Sequence, residues 1–252
     1  MKDTKFNWTG RLRAGALAIL LLGCANLNVR ADSFKDFKSN ISQSALKPFA
    51  KDIGTLVGSN KAHLGRILGF PGFEVSIKAS AIMKPDPNNA VLNSAGVKAF
   101  GLPYIQLDLG LPLQIDAFVR GISFSNFTMA GGGLRFSIFK FMDVPLAPQL
   151  LVAGMANSVS HDFFSATHFG ADAVMSLNIP IIKPYMAVGV DRTRLRIKSA
   201  NTLSLVGLTA SATEPRFTLG INLKPLPLVY LYGAYTRTHK VNAIDSGVSL
   251  RF

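Results

Sequence analysis

The sequence predicts an all-β protein, an antiparallel transmembrane β-barrel of about ten strands (roughly eight to twelve), preceded by an N-terminal amphipathic helix. Three observations lead there. Charged residues make up only 16% of the 252-residue chain, while 48% are hydrophobic; an ordinary soluble domain carries roughly 25% charged residues. After residue 31 no apolar run approaches the ~18 residues that a membrane-spanning helix needs. From Phe73 onward, apolar and polar residues instead alternate along the chain, the period of a strand with one greasy and one polar face.

The first segment is an export signal. Lys2, Lys5, Arg11 and Arg13 precede the apolar stretch 14–22 (AGALAILLL), which is too short to cross a bilayer. Cleavage is expected near Ala25 or Ala31. Leu21-Leu22-Gly23-Cys24 also resembles a lipobox, which implies lipidation at Cys24. Cys24 is the single cysteine, so the chain from residue 32 has no disulfide and no thiolate metal site.

Residues 32–70 form a separate segment ahead of a barrel spanning 71–252. Ile41, Ala45, Leu46, Phe49, Ala50, Ile53, Leu56 and Val57 recur at helical spacing, which predicts a helix over 42–58 with Pro48 near its start. Two placements fit: a plug inside the lumen, or a cap on the periplasmic rim.

The strands follow in order. Phe73, Val75, Ile77, Ala79 and Ala81 oppose Glu74, Ser76, Lys78 and Ser80. Ile105, Leu107 and Leu109 oppose Gln106 and Asp108; Ile115, Ala117 and Val119 oppose Gln114, Asp116 and Arg120. Leu134, Phe136 and Ile138 oppose Arg135 and Ser137. Phe169, Ala171, Ala173, Met175 and Leu177 oppose His168, Asp172 and Ser176, and Phe217, Leu219, Ile221 and Leu223 oppose Arg216, Thr218 and Asn222. Segments 149–157, 184–192, 228–237 and 243–252 complete the set, with the faces of Tyr230, Tyr232 and Tyr235 left unassigned. Gly131-Gly132-Gly133 is expected to begin its strand and relieve crowding or mark a bulge.

The connections carry a second pattern. Those after the second, fourth, sixth and eighth strands hold Pro112, Pro145 with Pro148, Pro180 with Pro184, and Pro225 with Pro227. Proline cannot donate to a ladder and belongs at strand ends. The intervening connections, such as 84–102 and 193–214, are longer or more polar. Short turns on one side and long loops on the other suit a membrane barrel, and an even strand number places both chain ends on the short-turn side.

The chain ends Asp245-Ser246-Gly247-Val248-Ser249-Leu250-Arg251-Phe252. Asp245, Gly247, Leu250 and Phe252 resemble the C-terminal signal of bacterial outer-membrane β-barrels. GFPGFEV, at the head of the first strand, is similar to the opening of small uncharacterised families of such barrels. The resemblance implies location in the cell outer membrane of a bacterium with two membranes. It implies the barrel-assembly machinery, periplasmic chaperones and outer-membrane lipid as partners.

Charge narrows the function. The net charge is +13; Lys2, Lys5, Arg11, Arg13 and Arg30 against Asp3 place +4 in the signal, leaving +9 for the body. The polar faces put Glu74, Lys78, Asp108, Asp116, Arg120, Arg135, Asp172 and Arg216 in the lumen, with Lys224, Asp245 and Arg251. Signs are nearly balanced there, which favours ion pairs over a one-signed filter, and ten strands enclose little free space. The surplus gathers at Arg192, Arg194, Arg196 and Lys198, and at Arg237, His239 and Lys240 in what reads as a long outward loop. The first group is expected to meet lipopolysaccharide phosphates. Nucleic acid does not fit an exported chain.

No H-E-x-x-H, G-x-S-x-G or phosphate-loop motif occurs. His63, His161, His168, His239, Asp162, Asp172 and Asp191 are the candidate catalytic groups, and none carries a motif. The expectation is a non-enzymatic outer-membrane barrel, structural or passing or binding a small solute, with no metal or cofactor. The alternatives are an outer-membrane enzyme with a loop-borne site and a soluble periplasmic lipid-binding barrel. The last would turn its apolar faces inward.

Overall fold

The computed structural model describes residues 34, 36–124, 126–138 and 146–252. The export signal, with Cys24, Ala25 and Ala31, lies outside the described residues, as does Pro145.

Ten strands form one closed antiparallel barrel: β1 (Phe73–Ile82), β2 (Phe100–Leu111), β3 (Ile115–Phe124), β4 (Phe127–Ser137), β5 (Pro148–Ser160), β6 (Phe164–Leu177), β7 (Ile182–Ile197), β8 (Thr209–Leu226), β9 (Val229–Thr238) and β10 (Val241–Arg251). Each strand pairs with its sequence neighbours, and β1 closes on β10 with Glu74 opposite Arg251. Every strand therefore has two partners and the sheet has no free edge, which a strand needs in hydrocarbon.

Side-chain direction decides between a membrane barrel and a soluble lipid binder. On β8, Phe217, Leu219 and Ile221 face outward at 38%, 48% and 50% exposure, while Arg216 and Asn222 face inward at 3% and 0%. Ile105, Leu107, Leu109, Val119, Leu134 and Phe169 are also exposed on the outer wall. The apolar belt lies outside, the inverse of a lipid-binding soluble barrel. On β9, Tyr230 and Tyr232 turn inward and Tyr235 outward.

That polarity reverses near the mouth away from the C-terminus, here called the distal mouth. On β7, outward Val188 and Val190 give way to exposed Arg192, Arg194 and Arg196. Inward Asp191 and Thr193 give way to buried Leu195 and Ile197. The upper wall thus stands beyond the belt and packs an apolar interior against water outside, as a soluble domain does. Phe37, Phe49, Val159, Phe164, Leu195 and Val241 belong to that interior cluster.

The loop alternation expected from sequence is only partly present. On the distal side the connections 83–99 and 198–208 are long; the first carries the helix α3 (Ala90–Ser94). The others on that side are tight: 125–126, 161–163 and 239–240. Arg237 therefore lies within β9, and His239 and Lys240 make a turn rather than a loop. On the other side 138–147 is long. Gly131 to Gly133 sit in the middle of β4, unbulged, where side chains would collide with Asn157 and the Phe118 ring.

The segment before the barrel runs inside it. α1 (Phe37–Asn40) and α2 (Gln43–Val57) lie at the distal end, α2 capped by Ser42 Oγ, which accepts from Ala45 N at 3.2 Å. Asn201 N, in the distal loop, donates to Lys38 O at 3.2 Å. Lower down, Gly65 N donates to Ser176 Oγ at 2.9 Å and Leu68 N to Asp116 Oδ2 at 2.7 Å. The chain then reaches Phe73 at the rim where β1 begins and β10 ends. The even strand number therefore does not bring both ends of the described chain together: Phe34 and Phe252 stand at opposite mouths.

Candidate functional site

The occupied lumen is the centre of the molecule's chemistry. It is built around a helix end that cannot satisfy itself. The last carbonyls of any α-helix lack intrahelical partners and carry the negative end of the helix dipole. α2 ends inside the barrel, away from bulk water, so the wall must supply donors, and cations suit the site best.

Three cations do so. Arg216, from β8, donates through NH2 to Thr55 O at 2.9 Å and Gly54 O at 3.3 Å. Arg120, from β3, donates through NH1 to Ser59 O at 2.8 Å and through NH2 to Val57 O. Lys61, from the segment itself, folds back so that Nζ donates to Gly58 O at 2.9 Å. Asn157 Nδ2 adds a bond to Val57 O at 3.0 Å.

Buried cations need counter-charges. Lys61 Nζ lies 2.8 Å from Asp191 Oδ1 and 3.0 Å from Asp172 Oδ1, and Arg216 Nε lies 2.5 Å from Asp191 Oδ2. Asp191 thus joins wall to segment. Gly170 and Gly58 make the approach possible: a Cβ at Gly170 would collide with Lys61 and Asp191, and one at Gly58 with Arg216 and Asp191. Lower down, Arg135 donates through Nε to Lys61 O at 2.7 Å and pairs through NH1 with Asp108 Oδ1 at 2.6 Å. Arg251 pairs with Glu74 at 2.6 Å.

All eight lumen residues named from sequence, Glu74, Lys78, Asp108, Asp116, Arg120, Arg135, Asp172 and Arg216, are buried on the inner face. Asp116, Arg120, Arg135, Asp172 and Arg216 touch the threaded segment. Lys224, also expected inside, is exposed at the rim over the Tyr230 ring. A register shift between Leu223 and Leu226 breaks the alternation there. Sequence reasoning missed Lys61 and Asn157 as lumen residues, and read Asp191 only as a possible catalytic acid. Asp191 shows its inward parity between Val190 and Arg192; Lys61 stands in a stretch with no period.

The histidines are all engaged. His168 Nδ1 lies 2.9 Å from Thr193 Oγ1, and Nε2 lies 3.5 Å from Asp191 Oδ1. His63 stacks on Tyr232 at 4.7 Å, and its Nε2 lies 3.5 Å from Glu74 Oε1. His161 stacks on Phe164 at 5.0 Å, whereas adjacent Asp162 accepts from Asn126 Nδ2 at 2.6 Å. His239 lies 3.5 Å from Glu214. Among the described residues no cluster of three His, Asp or Glu has metal-holding geometry.

The remaining named residues lie at the two ends. Asp245 and Gly247 face the lumen; Leu250 and Phe252 face out, and the Phe252 ring stacks on Phe73 at 4.7 Å. Arg192, Arg194 and Arg196 are exposed on the outer wall of upper β7, whereas Lys198, just past the end of the strand, donates through Nζ to His161 O at 2.8 Å.

No curated protein sequence matches the chain. Among solved structures it is similar to the N-terminal β-barrel domain of Pseudomonas aeruginosa OprF, at 10% identity and a TM-score of 0.37, over 73% of this chain and 99% of that one. It is similar to Ail of Yersinia pestis, at 12% identity and a TM-score of 0.33, over 72% and 99%. It is also similar to the translocator domain of the autotransporter NalP from Neisseria meningitidis, at 11% identity and a TM-score of 0.37, over 82% and 96%. These likenesses are of architecture alone. The family model of a family of unknown function, DUF6588, matches residues 87–252. That match spans β2 to β10, and the chain belongs to this family.

Proposed function

We propose that this protein is a non-enzymatic outer-membrane barrel whose lumen is stoppered by its own N-terminal segment, so that it holds a structural or binding role rather than acting as an open pore. The observation that carries the reading is the docking of the α2 terminus on Arg216, Arg120 and Lys61. The outward belt supports the outer membrane, since a β-barrel satisfies its backbone in lipid. The rim holding Phe252 then faces the periplasm and the distal mouth faces the exterior.

Thr193, His168 and Asp191 line up in the order of an acyl-transfer triad. Asp191, however, is committed to Lys61 and Arg216, and Thr193 packs on Gly54. Both ends of that line are thus taken up by the threaded segment and its partners, which favours the non-enzymatic reading. Passage of a small solute, with the segment displaced, is the second reading. It draws support from the lower lumen, where Lys78 Nζ, the Tyr232 hydroxyl and the Asn222 amide are buried with no hydrogen bond inside the protein.

Planar-bilayer recording tests the proposal. The full chain is expected to show no steady current, and a variant lacking 34–68 an ohmic one. A steady current through the full chain equal to that of the deletion variant would refute the stopper.

A further inference from the structure

We infer that the outer wall of upper β5 to β8 is a binding surface for phosphate groups carried on an outer-leaflet lipid. This rests on the membrane orientation given above, not on whether the lumen conducts.

Arg192, Arg194 and Arg196 project from alternate positions of β7 on the outward face. At a strand rise of about 3.3 Å per residue they form a column roughly 13 Å long. Among the described residues none of the three has an acid within ion-pair distance. Hydroxyls flank the column on both neighbours: Thr167 and Ser165 on β6 stand opposite Arg194 and Arg196, and Ser211 and Thr209 on β8 do the same. Ser158 on β5 extends the row beyond Thr167. A groove of about 550 Å³ runs along this wall, lined by Ser158, Ser165, Thr167, Arg194, Arg196 and Thr209.

Guanidinium forks and hydroxyl donors make a phosphate site, since each arginine can grip two oxygens of one phosphate. The lipid source follows from what lies beneath. Phe169 is opposite Arg192, and Val190, Val188 and Phe217 continue downward on the same outer face. A molecule with phosphates at the level of Arg192 to Arg196 and acyl chains along this apolar wall is matched at both ends. Free phosphate would use only the upper half.

The test is a binding titration on the full chain in neutral detergent, read by the midpoint of heat-induced mobility change and by direct binding of labelled lipid. The probes are lipid A with both phosphates, lipid A with both removed, and inorganic phosphate. The phosphorylated lipid is expected to bind and the other two to bind far more weakly. Replacing all three residues (Arg192→Gln, Arg194→Gln, Arg196→Gln) should leave the barrel folded, because none is buried, and weaken phosphorylated-lipid binding about a hundredfold. The triple lysine variant should fall between, keeping charge but losing the forks. Equal binding by wild type and triple glutamine variant overturns the inference, and so does equal binding of phosphorylated and dephosphorylated lipid. Inorganic phosphate binding as tightly as the lipid overturns the lipid source.

Discussion

Asp52 is the residue whose chemistry bears most directly on how the segment is held. It lies on α2, fully buried, and its carboxylate accepts from Asp86 N at 3.1 Å and from Asn89 Nδ2 at 2.6 Å, tying the helix to loop 83–99. Burial pushes its pKa up from 3.8 to about 7. A carboxyl with a folded-state pKa above its unfolded value favours the folded state when protonated. Its contribution is complete below about pH 4 and is lost as pH rises through about 7. Hydrogen exchange of residues 43–57, corrected for intrinsic rate, should therefore speed up between pH 5 and pH 8. Asp52→Asn should flatten that dependence; an unchanged profile in the variant would assign the effect elsewhere. Lys61 is the opposite case, a buried cation between Asp172 and Asp191. Lys61→Met leaves those two acids with one cation, Arg216, and removal of one member of a buried ion pair costs roughly 3–5 kcal/mol. The expected result is a barrel that still assembles but whose segment becomes open to protease; a segment as resistant as wild type would show that the pairing contributes little.

At the level of elements, the seam between β1 and β10 closes the sheet, and its last residue is the most informative. Phe73 N donates to Phe252 O at 3.0 Å and Phe252 N to Phe73 O at 2.8 Å, with the two rings stacked. Deleting Phe252 removes both bonds and the stack, and should lower the amount of heat-modifiable barrel in membranes several-fold. Ser246→Ala, outward in mid-strand, is the proper control and should leave it unchanged; equal loss in both would count against the terminal signal. Arg251→Ala is no control, because it strips buried Glu74 of its partner. The strands were legible in sequence because one face meets lipid and the other meets polar groups, which forces a period of two on β1, β6 and β8 alike. The turns were not. Leu113, Gln114, Leu146 and Ile181 all take left-handed φ although none is a type that signals it, unlike Asn126 or Gly207. The inversion of polarity on upper β7 was also hidden. Arg192, Arg194, Arg196 and Lys198 alternate at the top of the seventh strand in sequence, but that pattern does not show that Leu195 and Ile197 between them pack inside.

At the scale of the whole molecule, composition and alternation indicated a membrane barrel but left open whether its lumen is plugged. A helix with one apolar stripe packs equally well on a rim or in a lumen, so Ile41 to Val57 alone could not choose. The choice is made by wall residues distant in sequence: Arg120, Asp172, Asp191 and Arg216 converge on 54–61 only once ten strands have closed. A cavity near the rim, beside His63, Arg66 and Arg135, measures about 10 Å³, room for about one water.

Threading has one mechanical consequence. Ten strands and one enclosed segment run between the two mouths an odd number of times, which leaves Phe34 at the distal mouth and Phe252 at the other. A pull exerted at Phe34 would load the grip of Arg216 and Arg120 on the end of α2 before any of it reached Gly69 and Phe73.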